Sequence, residues 1–139
     1  MRTRIIKALA VLTAIVTLTQ MSTCPVQAAE ADIENEIDWE GQGFVTMHTT
    51  AYCLHGVTAN GGYTRPYTAA CNPHLGDVAI VYTMDGQFLG MYEITDTGST
   101  NGLQSGRVID VWRVDYTQCE SWMKLTRGKV RVKWIEGEG

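Results

Sequence analysis

The chain has 139 residues, with 11 Lys and Arg against 15 Asp and Glu and a formal net charge of −4. That length bounds it to one domain, and the acidic balance argues against a nucleic-acid partner held by phosphate neutralisation. Its cysteines fit no zinc-ligand spacing such as Cys-x-x-Cys, and His48, His55 and His74 are scattered, so neither a metal nor another cofactor is expected.

The chain opens with "MRTRIIKALAVLTAIVTLTQMSTCPVQAAEA". Arg2, Arg4 and Lys7 precede an apolar run over about residues 8–18, and Val26 and Ala28 stand at −3 and −1 of a cut after Ala28. This is the layout of a secretory signal peptide over 1–28, too short for a comfortable membrane span. An uncleaved anchor is one alternative. A lipoprotein signal at Cys24 is another, but "MST" before it lacks the usual Leu and small residue. Cleavage removes three cations and no acid, moving the net charge from −4 to −7. The mature chain is expected to be secreted or cell-wall associated, monomeric and without stable membrane insertion. Cys53, Cys71 and Cys119 remain, and export permits one disulfide among them; the spacing leaves the pairing open.

Residues 29–42, "AEADIENEIDWEGQ", are acidic with little apolar pattern and read as a linker. From residue 43 to 137 the chain turns to strands and turns. "FVTMHTTAY" (44–52) is rich in β-branched and aromatic residues and predicts a strand. Residues 53–66 are loop, marked by Asn60-Gly61-Gly62. "DVAIVYTM" (77–84) and "QFLGMYEIT" (87–95) read as strands joined by an Asp85-Gly86 hairpin turn. "GRVIDVW" (106–112) is a further strand. Over 114–125, Tyr116, Cys119, Trp122 and Met123 fall on one helical face, and Asp115 with Gln118 forms a capping-box pattern. "GKVRVKWIEG" (128–137) alternates Val130, Val132 and Trp134 against Arg131 and Lys133, a strand with one wet face. The sum is a mainly β domain of about 95 residues with one short helix, best closed as a small barrel.

Two aspartates stand out. Asp96, in "DTG", sits at a strand end before a glycine that lets backbone approach. An Asx-turn is its bland explanation. Aspartic proteases share the triplet, but they need two copies, and one short chain holds one. Asp110 interrupts the apolar "RVIDVW", where a carboxyl is costly to ionise and its pKa should rise, as a general acid needs. Strand alternation puts Ile109 and Val111 on the opposite face, so Asp110 can also simply point outward. Asp115 is explained by its cap.

"TAYC" (50–53), "TANG" (58–61), "ACNPHLG" (70–76), "YEITDTG" (92–98) and "GRVIDVW" (106–112) occur in an order that resembles the three-aspartate (3D) domain. That family is related to the catalytic domain of membrane-bound lytic transglycosylase A and to stationary-phase survival muralytic proteins. The resemblance covers residues 44–136. It implies a six-stranded double-psi β-barrel that cleaves the β-1,4 bond between N-acetylmuramic acid and N-acetylglucosamine in peptidoglycan strands. It implies Asp110 as general acid and then base, with Asp96 beside it in the groove, raising its pKa by like charge or sharing its proton. Thr50, Tyr52, Asn72, Thr97 and Gly98 fall on the family motifs and are the implied substrate-binding positions, Thr50 offering a hydroxyl to a carboxylate. Among the aromatics, Tyr52 is the first groove candidate; Tyr63, Tyr67 and Trp112 are candidates whose competing role is packing. Two departures matter. Asn72 stands where the family carries its first aspartate, and "LQSG" replaces a frequent lysine in the loop between the two aspartates. The alternative function is a non-catalytic, expansin-like module that binds wall glycan.

Overall fold

The computed structural model describes residues 36–138; the expected signal peptide and the first seven residues of the expected linker lie outside them. Six strands close into a barrel: β1 (Val45–Tyr52), β2 (Thr68–Ala70), β3 (Val78–Thr83), β4 (Phe88–Asp96), β5 (Val108–Trp112) and β6 (Lys129–Ile135). A 3₁₀ turn, Asn72–His74, follows β2. Two helices follow β4 and β5 respectively: α1 (Asn101–Ser105) and α2 (Tyr116–Thr126). The barrel unit begins at Trp39, whose ring meets Phe44 edge-on at 5.1 Å and Tyr82 at 5.0 Å. No helix among the described residues is long and apolar enough to cross a membrane.

Around the barrel the order is β1-β5-β2-β4-β3-β6. β5 lies between β1 and β2, parallel to the first and antiparallel to the second. Strands β1 and β2 are therefore antiparallel, joined by one loop, with a third strand between them, which is a ψ loop. β2 separates β4 from β5 in the same manner. The two ψ loops share the β2–β5 pair, so the barrel is double-psi, and closure leaves no sheet edge.

Five of the strands lie within two residues of the expected positions, because each carries an apolar alternation long enough to read. β2 has three residues, too few to show a period, and the sequence reading left it unassigned. The interior is filled from alternate positions: Met47 of β1, Ala69 of β2, Val81 of β3, Ile94 of β4, Ile109 and Val111 of β5, Val130 and Val132 of β6. β6 wets its other face with Lys129 and Lys133.

Helix α2 starts at Asp115, whose Oδ1 accepts the Gln118 N–H at 2.8 Å. The reciprocal half of a capping box is absent: the Gln118 Oε1 takes a hydrogen bond from Arg113 at 2.6 Å instead. The buried face differs from the expected one. Tyr116 is 70% exposed and Met123 is also exposed, whereas Cys119, Trp122 and Thr126 are buried. The helix meets the barrel over a narrower stripe than its apolar residues suggest, because it packs chiefly on one strand, β1. There the Trp122 Nε1–H donates to Thr49 Oγ1 at 2.9 Å, and Thr49 donates to the Ile109 carbonyl at 2.9 Å. Thr49 is 1% exposed. Trp122→Phe removes the donor from this buried relay and is expected to cost about 1–3 kcal/mol, read as a lowered urea midpoint with an unchanged m-value.

Candidate functional site

Register places four residues in one row across four neighbouring strands. Thr50 of β1 pairs with Asp110 of β5, Asp110 with Ala70 of β2, and Ala70 with Asp96 of β4. Paired residues on adjacent strands face the same side. Strands lie about 4.8 Å apart, so the two aspartate backbones stand about 10 Å from each other with only a methyl group between them.

Asp110 faces this way by simple alternation, with Ile109 and Val111 fully buried on the core side. Asp96 does not. Ile94 points into the core, and two residues on, Asp96 would do so too. A bulge intervenes: Ala69 pairs with Ile94, but Ala70 pairs with Asp96, leaving Thr95 as the extra residue. The bulge re-aims Asp96 to the groove side. Thr95 is buried and its Oγ1 has no hydrogen-bond partner, a local cost of that turn.

The two carboxyls sit in different settings. Asp96 accepts three hydrogen bonds. Oδ1 takes the N–H groups of Ala59 at 3.0 Å and Thr97 at 2.9 Å, and Oδ2 takes the Tyr52 hydroxyl at 3.3 Å. Asp110 accepts one, from Thr50 Oγ1 to Oδ1 at 2.8 Å. Burial pushes the Asp110 carboxyl above its ordinary range; the Thr50 hydrogen bond opposes this, and the charge of Asp96 adds to it. Burial, expected from the apolar run around Asp110, is thus the leading cause, ahead of the like charge that the family resemblance implies. No hydrogen bond joins the two carboxyls among the described residues, so they do not share a proton. Tyr52 feels both aspartates, and burial with their charges drives its phenol far up, so it remains a neutral donor.

The loop between the aspartates is a built structure. Asn72 clamps it: Nδ2–H donates to the Gly98 carbonyl at 2.9 Å and Oδ1 accepts the Gly98 N–H at 2.9 Å. Thr100 caps α1 through the Leu103 N–H at 3.4 Å, Leu103 is buried, and Gly106 ends the turn at φ +80°, where a side chain would be strained. α1 packs on the 3₁₀ turn and on β5. Thr97 and Gly98 therefore serve Asp96 and Asn72 with their backbones, leaving the Thr97 side chain exposed.

Of the expected aromatics, Trp112 is buried, with its Nε1–H on the Leu54 carbonyl at 2.7 Å. Tyr63 and Tyr67 are about 60% exposed and are not packed away. Tyr67 holds φ +62°, unusual for a tyrosine, with its carbonyl bound to the Glu93 N–H at 3.0 Å. It lines a cleft of about 390 Å³ with Pro66, Leu89, Tyr92, Trp112, Arg113, Val114 and Gln118. The sequence reading missed Arg113, the cation of this cleft; its position directly after the Asp110 strand was the available signal. His74, read from the sequence as one of three scattered histidines, is stacked flat on Trp134 at 3.6 Å and bonded to Asp77 at 2.9 Å. No cluster of three or more His, Cys, Asp or Glu able to hold a metal occurs among the described residues.

No family model, curated protein or solved structure matches the chain.

The opposed influences on Asp110 make a test. Asp96→Asn removes a like charge and is expected to lower the Asp110 pKa. Thr50→Val removes a hydrogen bond to the ionised form and is expected to raise it. Carboxyl ¹³C shifts followed through a pH titration read both. Shifts of the same sign in the two variants would contradict this assignment.

Proposed function

We propose that this protein is an exported lytic transglycosylase of peptidoglycan strands, with Asp110 as its single acid and base. One observation carries the reading: a half-buried carboxyl with a raised pKa, bonded through one oxygen, stands across an alanine gap from a second, fully bonded carboxylate. The ordered motifs that resemble the three-aspartate family supply the substrate class.

Thr50 occupies Oδ1 of Asp110, which leaves Oδ2 to carry the transferable proton. Asp110 gives this proton to the glycosidic oxygen, and the bond to the muramoyl C1 breaks through an oxocarbenium-like state. Asp110, now ionised, takes the proton of the muramoyl C6 hydroxyl. O6 bonds to C1, giving the 1,6-anhydro sugar and restoring the acid. Water is not consumed and a carboxylate nucleophile is not needed, unlike the two-carboxylate hydrolases. Asp96 is held in place by Ala59, Thr97 and Tyr52, and its role is to help keep Asp110 protonated.

The test is a digest of purified peptidoglycan read by mass spectrometry. Muropeptides about 18 Da lighter than hydrolysed ones are expected. Protein that sediments with the wall but releases nothing soluble would favour a glycan-binding module instead.

A further inference from the structure

We infer that the cleft beside Tyr67 and Arg113 binds the carboxylate end of a short apolar peptide, the peptide stem that muramic acid carries. The cleft and its cation stand on geometry; the choice of a wall peptide as occupant rests on the proposed function.

The cleft of about 390 Å³ lies next along β5 from the aspartate row. Arg113 follows Asp110 by three residues, about 10 Å of extended chain. Trp112, two residues past Asp110 and on the same side of β5, also lines the cleft. An extended stem of three or four residues spans about 10–14 Å. A muramoyl unit at Asp110 therefore has its stem within reach of Arg113.

One wall is an aromatic ring that a strained backbone presents. Tyr67 holds φ +62°, a conformation ordinary for Gly or Asn and costly for a bulky side chain. Its carbonyl is held by the Glu93 N–H at 3.0 Å. Its ring lies flush on Gly90, where an added Cβ would come within 3.1 Å of the ring. The ring is thus fixed from beneath and still 60% exposed. A tyrosine placed only to pack would be covered.

Arg113 supplies the one formal charge among the lining residues. It is half-buried, gives one N–H to Gln118 Oε1 at 2.6 Å and lies over the Trp122 ring at 5.7 Å. These contacts fix the guanidinium without neutralising it. The ion pairs among the described residues are Arg65–Glu93 and His74–Asp77, and no carboxylate pairs with Arg113. In an acidic chain, a half-buried cation left without an acidic partner and walled by Tyr67 and Leu89 is complementary to a carboxylate on an apolar stalk. The guanidinium can take both carboxylate oxygens through parallel N–H bonds, while the alanine methyls of a stem lie against Tyr67 and Leu89.

The test uses N-acetyl-D-Ala-D-Ala with its free carboxylate, the same peptide as its C-terminal amide, and sodium acetate as a bare carboxylate. Each is titrated into the purified full chain and followed by ¹H–¹⁵N NMR, the Arg113 Nε–H signal included. The peptide acid is expected to shift Arg113, Gln118 and Leu89 and to bind about 10-fold or more tightly than the amide, the worth of a charged hydrogen bond. Arg113→Gln should bring the acid down to the level of the amide. Tyr67→Asn suits the φ of its position and removes the shared wall, so it should weaken acid and amide alike. Absence of binding, equal binding of acid and amide, acetate binding as tightly as the peptide, shifts confined to residues outside the cleft, or undiminished affinity in Tyr67→Asn would each overturn the inference. The readout needs no turnover. Peptide binding without release of anhydro-muropeptides would leave this site standing and sink the transglycosylase, and release without peptide binding would do the reverse.

Discussion

Asp110→Asn is expected to slow release of anhydro-muropeptides by about 10²–10⁴-fold, the usual worth of a general acid and base, and at the same time to raise the melting temperature near neutral pH. The two effects share one cause. Asp110 is placed where burial disfavours its ionised form, and Asp96 adds a like charge. Its folded pKa lies above the ordinary value of 3.8, so the native state holds this proton more tightly than the unfolded state. Stability contributed by the protonated form is present below 3.8 and is lost as pH rises through the raised folded value. Asparagine never ionises, and its Oδ1 can keep the Thr50 hydrogen bond. The variant and the parent should therefore melt together at low pH and diverge above that window, the variant being the more stable. Thermal melts at acid and neutral pH, run beside the mass-spectrometric digest, check both halves. Turnover that survives in Asp110→Asn would sink the mechanism, and a variant less stable than the parent at neutral pH would contradict the burial argument.

Asn72→Asp is expected to destabilise the fold, by about 1–3 kcal/mol at neutral pH, although an aspartate stands at this position in the family the motifs resemble. Asn72 both donates to and accepts from the peptide groups of Gly98. An ionised carboxylate can accept the Gly98 N–H but has no proton for the Gly98 carbonyl, and it sets two oxygens against each other. Only the protonated acid reproduces the clamp, so the folded state raises the pKa of the new carboxyl. Its stability deficit should shrink as pH falls and grow as pH rises through that raised value. Asn72→Ala loses both bonds and should be destabilised without this pH dependence. Urea midpoints at acid and neutral pH separate the two variants. An Asn72→Asp protein as stable as the parent at neutral pH would show that the amide is not what holds the loop. Here the amide has a structural use that the sequence reading, which took it as a lost carboxylate at a substrate-binding position, did not contain.

Much of the barrel was legible before any coordinates. Strands β1, β3, β4, β5 and β6 advertise themselves because each buries one face for five residues or more, and a period of two is visible over that length. The Asp115 cap and the Asp85-Gly86 turn were equally plain, since both depend on a few adjacent residues. β2 was invisible because three residues carry no period. α1 hid in a stretch of Asn, Gly, Gln and Ser, where helix formation depends on the Thr100 cap, the buried Leu103 and the Gly106 stop rather than on propensity.

The same division runs through the site. That Asp110 alternates against Ile109 and Val111 follows from local order and could be read from the chain alone. That Asp96 joins it follows from a bulge at Thr95, which reverses the parity expected from Ile94. That Thr50, Asp110, Ala70 and Asp96 form one row follows from strands brought together from four separate parts of the chain. Side-chain type and short-range periodicity belong to neighbouring residues; register, bulges and pairings depend on which distant segments closure of the barrel sets side by side.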